Sequence, residues 1–264
     1  MDYKLVAIDL DDTLLNEDRV ISQRSKNIIK ESILKGVLVT FATGRMFKSA
    51  LPYALEIGLT IPLITYQGAL VKYADGREIS HLPLSLDLAK DVVNFIRPKG
   101  IHMNLYYSDD LYVFEVNKWA EHYAKMTQVP INILNSLEEK PIAPTKIVLM
   151  GDSNELEGLN EGLKAEFGGH TNLTRSKPHL LEISHPEATK GMALKRLAES
   201  MNIKREQVIA IGDELNDLDM IEYAGCGVAI GNACDELKQV ADIITLSNED
   251  DGVAAILEKL ILPL

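Results

Sequence analysis

The chain has 264 residues, 46% hydrophobic and 25% charged, with a formal net charge of −12. That length suits one large domain or two modest ones, and the apolar share suffices for a substantial core. Such an acidic surface disfavours nucleic acid and anionic lipid as partners, so an anionic ligand would need a local positive centre, either a metal ion or specific Lys and Arg side chains.

Leu5-Val6-Ala7-Ile8 is a short apolar run that ends at Asp9 and reads as a buried strand. A helix is predicted from the N-cap Ser22 to just before Gly36, with Ile28, Ile29, Ile33 and Leu34 on one apolar face. Val37–Ala42 reads as a second strand, followed by a helix to about Ile57 and a short strand over Pro62–Thr65. This alternation predicts a parallel sheet with helices on both faces.

From about Leu84 to Pro186 the pattern changes. Strands are predicted at His102–Tyr107, Leu111–Val116, Thr145–Met150 and Leu180–Ser184, with helices near Leu86–Ile96, Lys118–Met126 and Glu155–Phe167. This reads as an α+β domain inserted into the α/β domain, with Pro83 and Pro186 as crossing points. The α/β style then resumes. Helices are expected at Lys190–Met201, Glu214–Tyr223, Ala233–Val240 and Asp251–Leu260, and strands at Gln207–Ile211, Gly227–Ile230 and Asp242–Thr245. The expected division is therefore 1–83 with 187–264 as the core, and 84–186 as the insert.

Cys226 and Cys234 fit no zinc or redox spacing and read as ordinary thiols. Met1-Asp2-Tyr3-Lys4 does not begin a basic segment followed by an apolar run, so no signal peptide is expected. No apolar stretch approaches the ~20 residues needed to span a bilayer, and a cytoplasmic location is expected.

Four elements carry chemistry. Asp9-Leu10-Asp11-Asp12-Thr13-Leu14 stands at the carboxyl end of the first strand, where open α/β sheets bind ligands. A lone Asp there is commonly a cap or turn residue. Three acids so close together repel one another unless a cation compensates, which points to a divalent metal. A second acidic group, Gly212-Asp213-Glu214-Leu215-Asn216-Asp217, follows another strand; a helix-opening turn rich in acids is the plain alternative. Together the two strand ends offer hard oxygen ligands of the kind that suit Mg²⁺. Ala42-Thr43-Gly44-Arg45 offers a hydroxyl and backbone N–H groups to a phosphate oxygen, although Thr is also a common N-cap. Lys190, in Glu187-Ala188-Thr189-Lys190-Gly191, would ordinarily be a solvated surface group. It matters here as the cation that an acidic, phosphate-binding site requires.

In this order the four elements resemble the haloacid dehalogenase (HAD) superfamily of phosphohydrolases. Gly227-Val228-Ala229-Ile230-Gly231-Asn232-Ala233 and Glu249-Asp250-Asp251-Gly252-Val253 also look like its Cof-type branch of sugar-phosphate phosphatases, close to the YidA-like proteins. The resemblance covers essentially the whole chain. It implies a HAD-like Rossmannoid parallel sheet with an inserted α+β cap of the C2B type. The long interval between Thr43 and Lys190 leaves room for that cap, and the short one between Asp11 and Thr43 does not.

The resemblance also implies roles. Asp9 would attack phosphorus and become the aspartyl phosphate, and Asp11 would protonate the leaving oxygen and later activate water. Mg²⁺ would be held by Asp9, the main-chain carbonyl of Asp11 and Asp213, with Asp217 as a ligand or a support behind them. Leu10, Thr43, Gly44, Asn216 and Lys190 would hold the phosphoryl oxygens. Two positions depart from the pattern. Asp12 stands where many relatives have Gly, and Asp tolerates unusual turn geometry. Gln67-Gly68-Ala69 replaces a common Asn-Gly-Ala, so no substrate or cap contact carries over to Gln67.

The implied function is Mg²⁺-dependent hydrolysis of small phosphate monoesters, either sugar phosphates or cofactor phosphates such as pyridoxal phosphate or FMN. A phosphomutase or phosphotransferase using the same aspartyl phosphate, and a non-catalytic sensor of phosphorylated metabolites, are the other readings. The expected partner is a small phosphorylated metabolite, without nucleic acid or membrane, for a monomer or small homo-oligomer. Gly225-x-Gly227-x-x-x-Gly231 precedes a strand rather than following one, which is the wrong order for a dinucleotide fingerprint, and the chain has no P-loop sequence. In the insert, Tyr106, Tyr107, Tyr112, Trp119, Arg175, Lys177, His102 and His179 are expected to pack or to be solvated.

Overall fold

The computed structural model describes residues 2–127 and 129–262; Met1 lies outside them, as do Gln128, Pro263 and Leu264. The described chain falls into two compact units. One takes in the chain up to Arg45, Ala50–Ser80 and the chain from Thr189 onward. The other holds Met46–Ser49 and His81–Ala188.

The first unit is built on a parallel five-stranded sheet. Its spatial order is Ile243–Ile244, Cys226–Ala229, Val208–Gly212, Leu5–Ile8 and Leu38–Phe41. Leu5 to Ile8 and Val208 to Ile211 are wholly buried, which explains why they read as continuous apolar runs rather than as alternating patterns. From Leu5–Ile8 the chain steps to one side through helix Gln23–Leu34. From Val208–Gly212 it steps to the other side through helices Leu218–Tyr223 and Asp235–Val240. Right-handed crossovers in opposite directions put their helices on opposite faces. Accordingly Gln23–Leu34 packs beside Gly252–Leu260, and Lys190–Ser200 packs beside Leu218–Tyr223. The strand order reverses between Leu5–Ile8 and Val208–Gly212, and the carboxyl end of such a switch point is a natural crevice.

Helix Gln23–Leu34 begins as its sequence predicts, with the Ser22 hydroxyl accepting from the Ser25 N–H at 3.0 Å. Its apolar face is narrower than expected. Ile29 is buried, but Leu34 is 86% exposed, because, five residues on, it points about 140° around the helix from Ile29. A short sheet follows in the order Leu63–Thr65, Leu70–Lys72 and Glu78–His81, with its first pair antiparallel, and an isolated parallel bridge joins Ala42 to Ile64.

In the second unit a six-stranded sheet runs in the order Asn172–Lys177, Leu180–Ser184, Lys146–Met150, His102–Tyr107, Asp110–Val113 and Ile131–Ile133. All its pairings are antiparallel except the last. Met103, Leu105, Tyr107, Ile147, Leu149, Leu181 and Ile183 form one apolar core with residues of helices Leu86–Ile96 and Ser153–Phe167. The alternate positions include a buried polar series. His102 meets Asn104 at 2.9 Å, and Lys146 meets Glu182 at 2.5 Å. Trp119 stacks on His179 with ring centroids 6.3 Å apart.

Candidate active site

In the parallel register Ile8 faces both Phe41 and Ile211. Asp9, Ala42-Thr43 and Gly212-Asp213 therefore leave the sheet side by side. Past Asp9 the chain makes a wide π-type turn over Leu10–Leu14, closed by the Leu15 N–H donating to the Leu10 carbonyl at 2.9 Å. Asp12 adopts a left-handed conformation in that turn, φ 60° and ψ 7°, a geometry that Gly prefers and Asp tolerates. The Asn232 side chain donates to the Asp12 carbonyl at 2.8 Å and braces the turn.

Three buried carboxylates meet at this edge. Asp9, Asp213 and Asp217 each place an oxygen within 4.8 Å of the others. The Lys190 ammonium, itself buried at the start of helix Lys190–Ser200, donates to Asp9 Oδ1 at 2.6 Å and to Asp217 Oδ1 at 2.5 Å. The other Asp217 oxygen accepts from the backbone N–H groups of Asp213 and Glu214 at 3.0 and 3.2 Å. Thr13 donates to Asp213 Oδ1 at 2.7 Å. Gly212 makes this closeness possible, since a Cβ there would lie 2.5 Å from the Asp217 side chain.

The electrostatics follow from burial. Loss of water pushes the Asp9 carboxyl well above its ordinary range; Lys190 pulls it back, while Asp217, Asp213 and Asp11 push it further up. Burial, then repulsion from Asp217, raises Asp213 to about 7 against the opposing pull of Thr13 and Lys190. Burial works against the Lys190 ammonium, but Asp217 and Asp9 more than offset it and raise its pKa. Three carboxylates sharing one ammonium leave an excess of negative charge in a dry place. That donor set, hard oxygens with uncompensated charge, fits a divalent cation such as Mg²⁺.

The second half of the site is the loop after Phe41. Thr43 is buried, and its hydroxyl accepts from the Arg45 N–H at 3.1 Å, which leaves the hydroxyl proton to donate elsewhere. Arg45 grips the Asp11 carboxylate with Nε and Nη2 at 2.7 and 2.6 Å and lies over the Tyr53 ring. Against this loop lies the turn Tyr66–Gly68. Its N–H groups at Tyr66 and Gln67 donate to the carbonyls of Arg45 and Thr43 at 2.9 and 3.1 Å. The Asn216 side chain donates to Gln67 Oε1 at 3.1 Å.

The structure thus brings Asp9, Asp213, Asp217 and Lys190 into direct contact. It puts Leu10 in the adjoining turn and Thr43 and Gly44 in the neighbouring loop. The Asp11 carboxylate is turned toward Arg45, and Asn216 toward Gln67. Thr13, Arg45 and Gln67 received no role from the sequence. Thr13 and Arg45 lie inside motifs that were singled out, whereas Gln67 sits beside Gly68 with no local signature of its partners.

Among the described residues no helix is long and apolar enough to cross a membrane. A family profile described as haloacid dehalogenase-like hydrolase matches residues 6–257. The phosphatase YwtE of Bacillus subtilis, named for 5-amino-6-(5-phospho-D-ribitylamino)uracil, is 32% identical over 98% of this chain and 98% of its own. YitU of the same organism, named for the same compound, is 31% identical over 97% and 96%. A crystal structure of a haloacid dehalogenase-like hydrolase from Bacteroides thetaiotaomicron superimposes with a TM-score of 0.90. It is 29% identical and covers 98% of this chain and 99% of that one. The chain belongs to the haloacid dehalogenase-like hydrolases, in their Cof-type branch of phosphatases.

Proposed function

We propose that the protein hydrolyses small phosphate monoesters in the presence of Mg²⁺, through a phosphorylated Asp9. The observation that carries this reading is the Asp9 carboxylate, buried at the strand end and tied to Lys190 beside Asp213 and Asp217. An anionic carboxylate attacks an anionic phosphoryl group only where their repulsion is neutralised. Mg²⁺, held by Asp9, Asp213 and the main-chain carbonyl of Asp11 with Asp217 behind them, would supply part of that neutralising charge. Lys190 supplies the rest from the protein itself.

In this scheme an Asp9 oxygen forms the bond to phosphorus as the bond to the leaving oxygen breaks, and Asp11 gives that oxygen its proton. Asp11 then takes a proton from the water that attacks phosphorus, and the Asp9–phosphorus bond breaks to release inorganic phosphate. Thr43, the backbone at Leu10 and Gly44, Asn216 and Lys190 orient the phosphoryl oxygens. Residues 84–186 fit an inserted cap domain. Two relatives carry the name of a phosphorylated ribitylaminouracil, so phosphate monoesters of that kind join sugar phosphates and cofactor phosphates in the substrate class.

The test is phosphate release from a panel of such metabolites by the purified protein with Mg²⁺, with chelator, and with Asp9→Asn. Release by wild type alone supports the reading. An Asp9→Asn variant as active as wild type overturns it, and isomerised sugar phosphate in place of free phosphate would mark a mutase.

A further inference from the structure

Gln67 is buried, with 2% of its surface exposed, and its Nε2 has no hydrogen-bond partner among the described residues. Its other amide atom is engaged, since Oε1 accepts from Asn216 at 3.1 Å, which leaves Nε2 as the spare donor. The nitrogen lies against Gly44, where an added Cβ would stand only 2.5 Å from Nε2. Gly44 and Asn216 are both groups assigned to the phosphate, so the orphan donor sits between two walls of the proposed phosphoryl cradle.

The backbone holds the amide there at a cost. Tyr66 and Gln67 both adopt left-handed conformations, φ 53° and 56°, which side-chain-bearing residues avoid. Gly68 follows at φ 98°, with so little room that a Cβ would lie 2.2 Å from the carbonyl of Thr189, the N-cap of the Lys190 helix. One strained turn is thereby tied to the Thr43–Arg45 loop, to the start of the Lys190 helix and to Asn216. A buried donor without an acceptor is destabilising, and an apolar side chain of the same length would fill the space without that cost. A phosphoryl oxygen, which only accepts, is the natural partner for it.

We propose that Gln67 is a phosphoryl-binding residue, whose Nε2 donates to a substrate phosphoryl oxygen in the cradle formed by Thr43 and Gly44. This rests on the phosphatase reading above and adds to it a donor at a position where the family pattern has a different residue.

The experiment is calorimetric binding of inorganic phosphate, with Mg²⁺ present, to wild type, Gln67→Met and Gln67→Glu. Gln67→Met fills the space without a donor. Gln67→Glu keeps the acceptor for Asn216 and replaces the donor by a carboxylate oxygen. The expected result is affinity weakened roughly 10-fold or more in Gln67→Met, whose phosphate-free thermal midpoint stays near wild type, and further in Gln67→Glu, whose buried carboxylate lowers the midpoint. A residue that only shaped the turn would instead lower the midpoint and leave phosphate affinity in place. Wild-type affinity in a folded Gln67→Met overturns the proposal. If that variant does not fold, unchanged affinity in the isosteric Gln67→Glu does so. Asp9→Asn turnover, measured in parallel, separates the two readings. An inactive Asp9→Asn beside a Gln67→Met that binds phosphate normally sinks the role of Gln67 alone, and an active Asp9→Asn sinks the parent reading.

Discussion

Lys190 reaches Asp9 at 2.6 Å although 181 positions separate them in the chain, and the same ammonium holds Asp217 at 2.5 Å. All three groups are buried, so this cation is what lets Asp9 and Asp217 share one dry edge. Lys190→Met should leave them uncompensated and cost about 3–5 kcal/mol of stability near neutral pH. The loss should shrink in acid, where protonated carboxyls need no partner. Thermal melts of both proteins at pH 5 and pH 8 in chelator would show it, and an equal loss at both pH values would contradict it. Turnover should fall at least ~100-fold.

Asp213 invites a pH test whose sign is set by burial. In the fold its carboxyl is raised to about 7, against 3.8 for an ordinary aspartate. Between those values the folded chain binds a proton that the unfolded chain releases, so this group's contribution to stability is lost as pH rises through the window. In chelator, the melting temperature of wild type should therefore fall relative to Asp213→Asn between about pH 4 and 7. Mg²⁺ held as proposed would compete with the same proton, so its affinity should weaken below pH 7 and its binding should release protons. Calorimetry in two buffers of different ionisation enthalpy reads that release, and a buffer-independent heat would refute it.

Much of this site was legible before any geometry. Asp9, Asp213 and Thr43 stand at the ends of apolar runs, and strands buried on both faces announce themselves by composition. Lys190 carried meaning only as the cation that an acidic, phosphate-binding site requires. What stayed hidden was polar or long-range. Glu78–His81 and Asn172–Lys177 are strands without an apolar run. Leu34 is exposed because only the narrow stripe of Ser25, Ile29 and Ser32 is buried, and an apolar residue outside it does not mark its own exposure. Gln67 meets Asn216 across 149 residues, and nothing beside it in the chain marks that pairing.

Arg45 fixes the direction of Asp11 with two hydrogen bonds in a forked geometry. Lysine offers a point charge and cannot reproduce that fork. Arg45→Lys and Arg45→Ala should both lower kcat, by roughly 10-fold or more, with a smaller change in KM, because the carboxylate proposed to handle the leaving-group proton loses its bearing. Steady-state kinetics on any accepted monoester decide the point. A rise in KM with kcat intact would assign Arg45 to substrate binding instead.

Asp12 separates turn geometry from chemistry. Its φ of 60° suits Gly at least as well, so Asp12→Gly should fold to within ~1 kcal/mol of wild type and stay active. Asp12→Val puts a β-branched side chain in the same conformation and should cost at least ~1–2 kcal/mol. Denaturant melts of the two variants check the contrast, and equal stability would show that the turn relaxes freely.

Gly68 gives the sharpest steric test. Its φ is 98°, and an added Cβ would meet the Thr189 carbonyl carbon at 2.8 Å and its oxygen at 2.2 Å. Neither atom can move without shifting the Thr189 cap, whose hydroxyl accepts from the Met192 N–H at 3.2 Å, and with it the first turn that carries Lys190. Gly68→Ala should therefore cost more than ~2 kcal/mol and lower turnover through misplacement of Lys190. Gly76, also left-handed at φ 94° but with open space around it, is the matched control. Gly76→Ala bears the conformational penalty without the clash, so it should lose less stability and keep wild-type turnover. Equal losses in the two variants would show that backbone conformation alone, and not the contact with Thr189, sets the requirement for glycine at position 68.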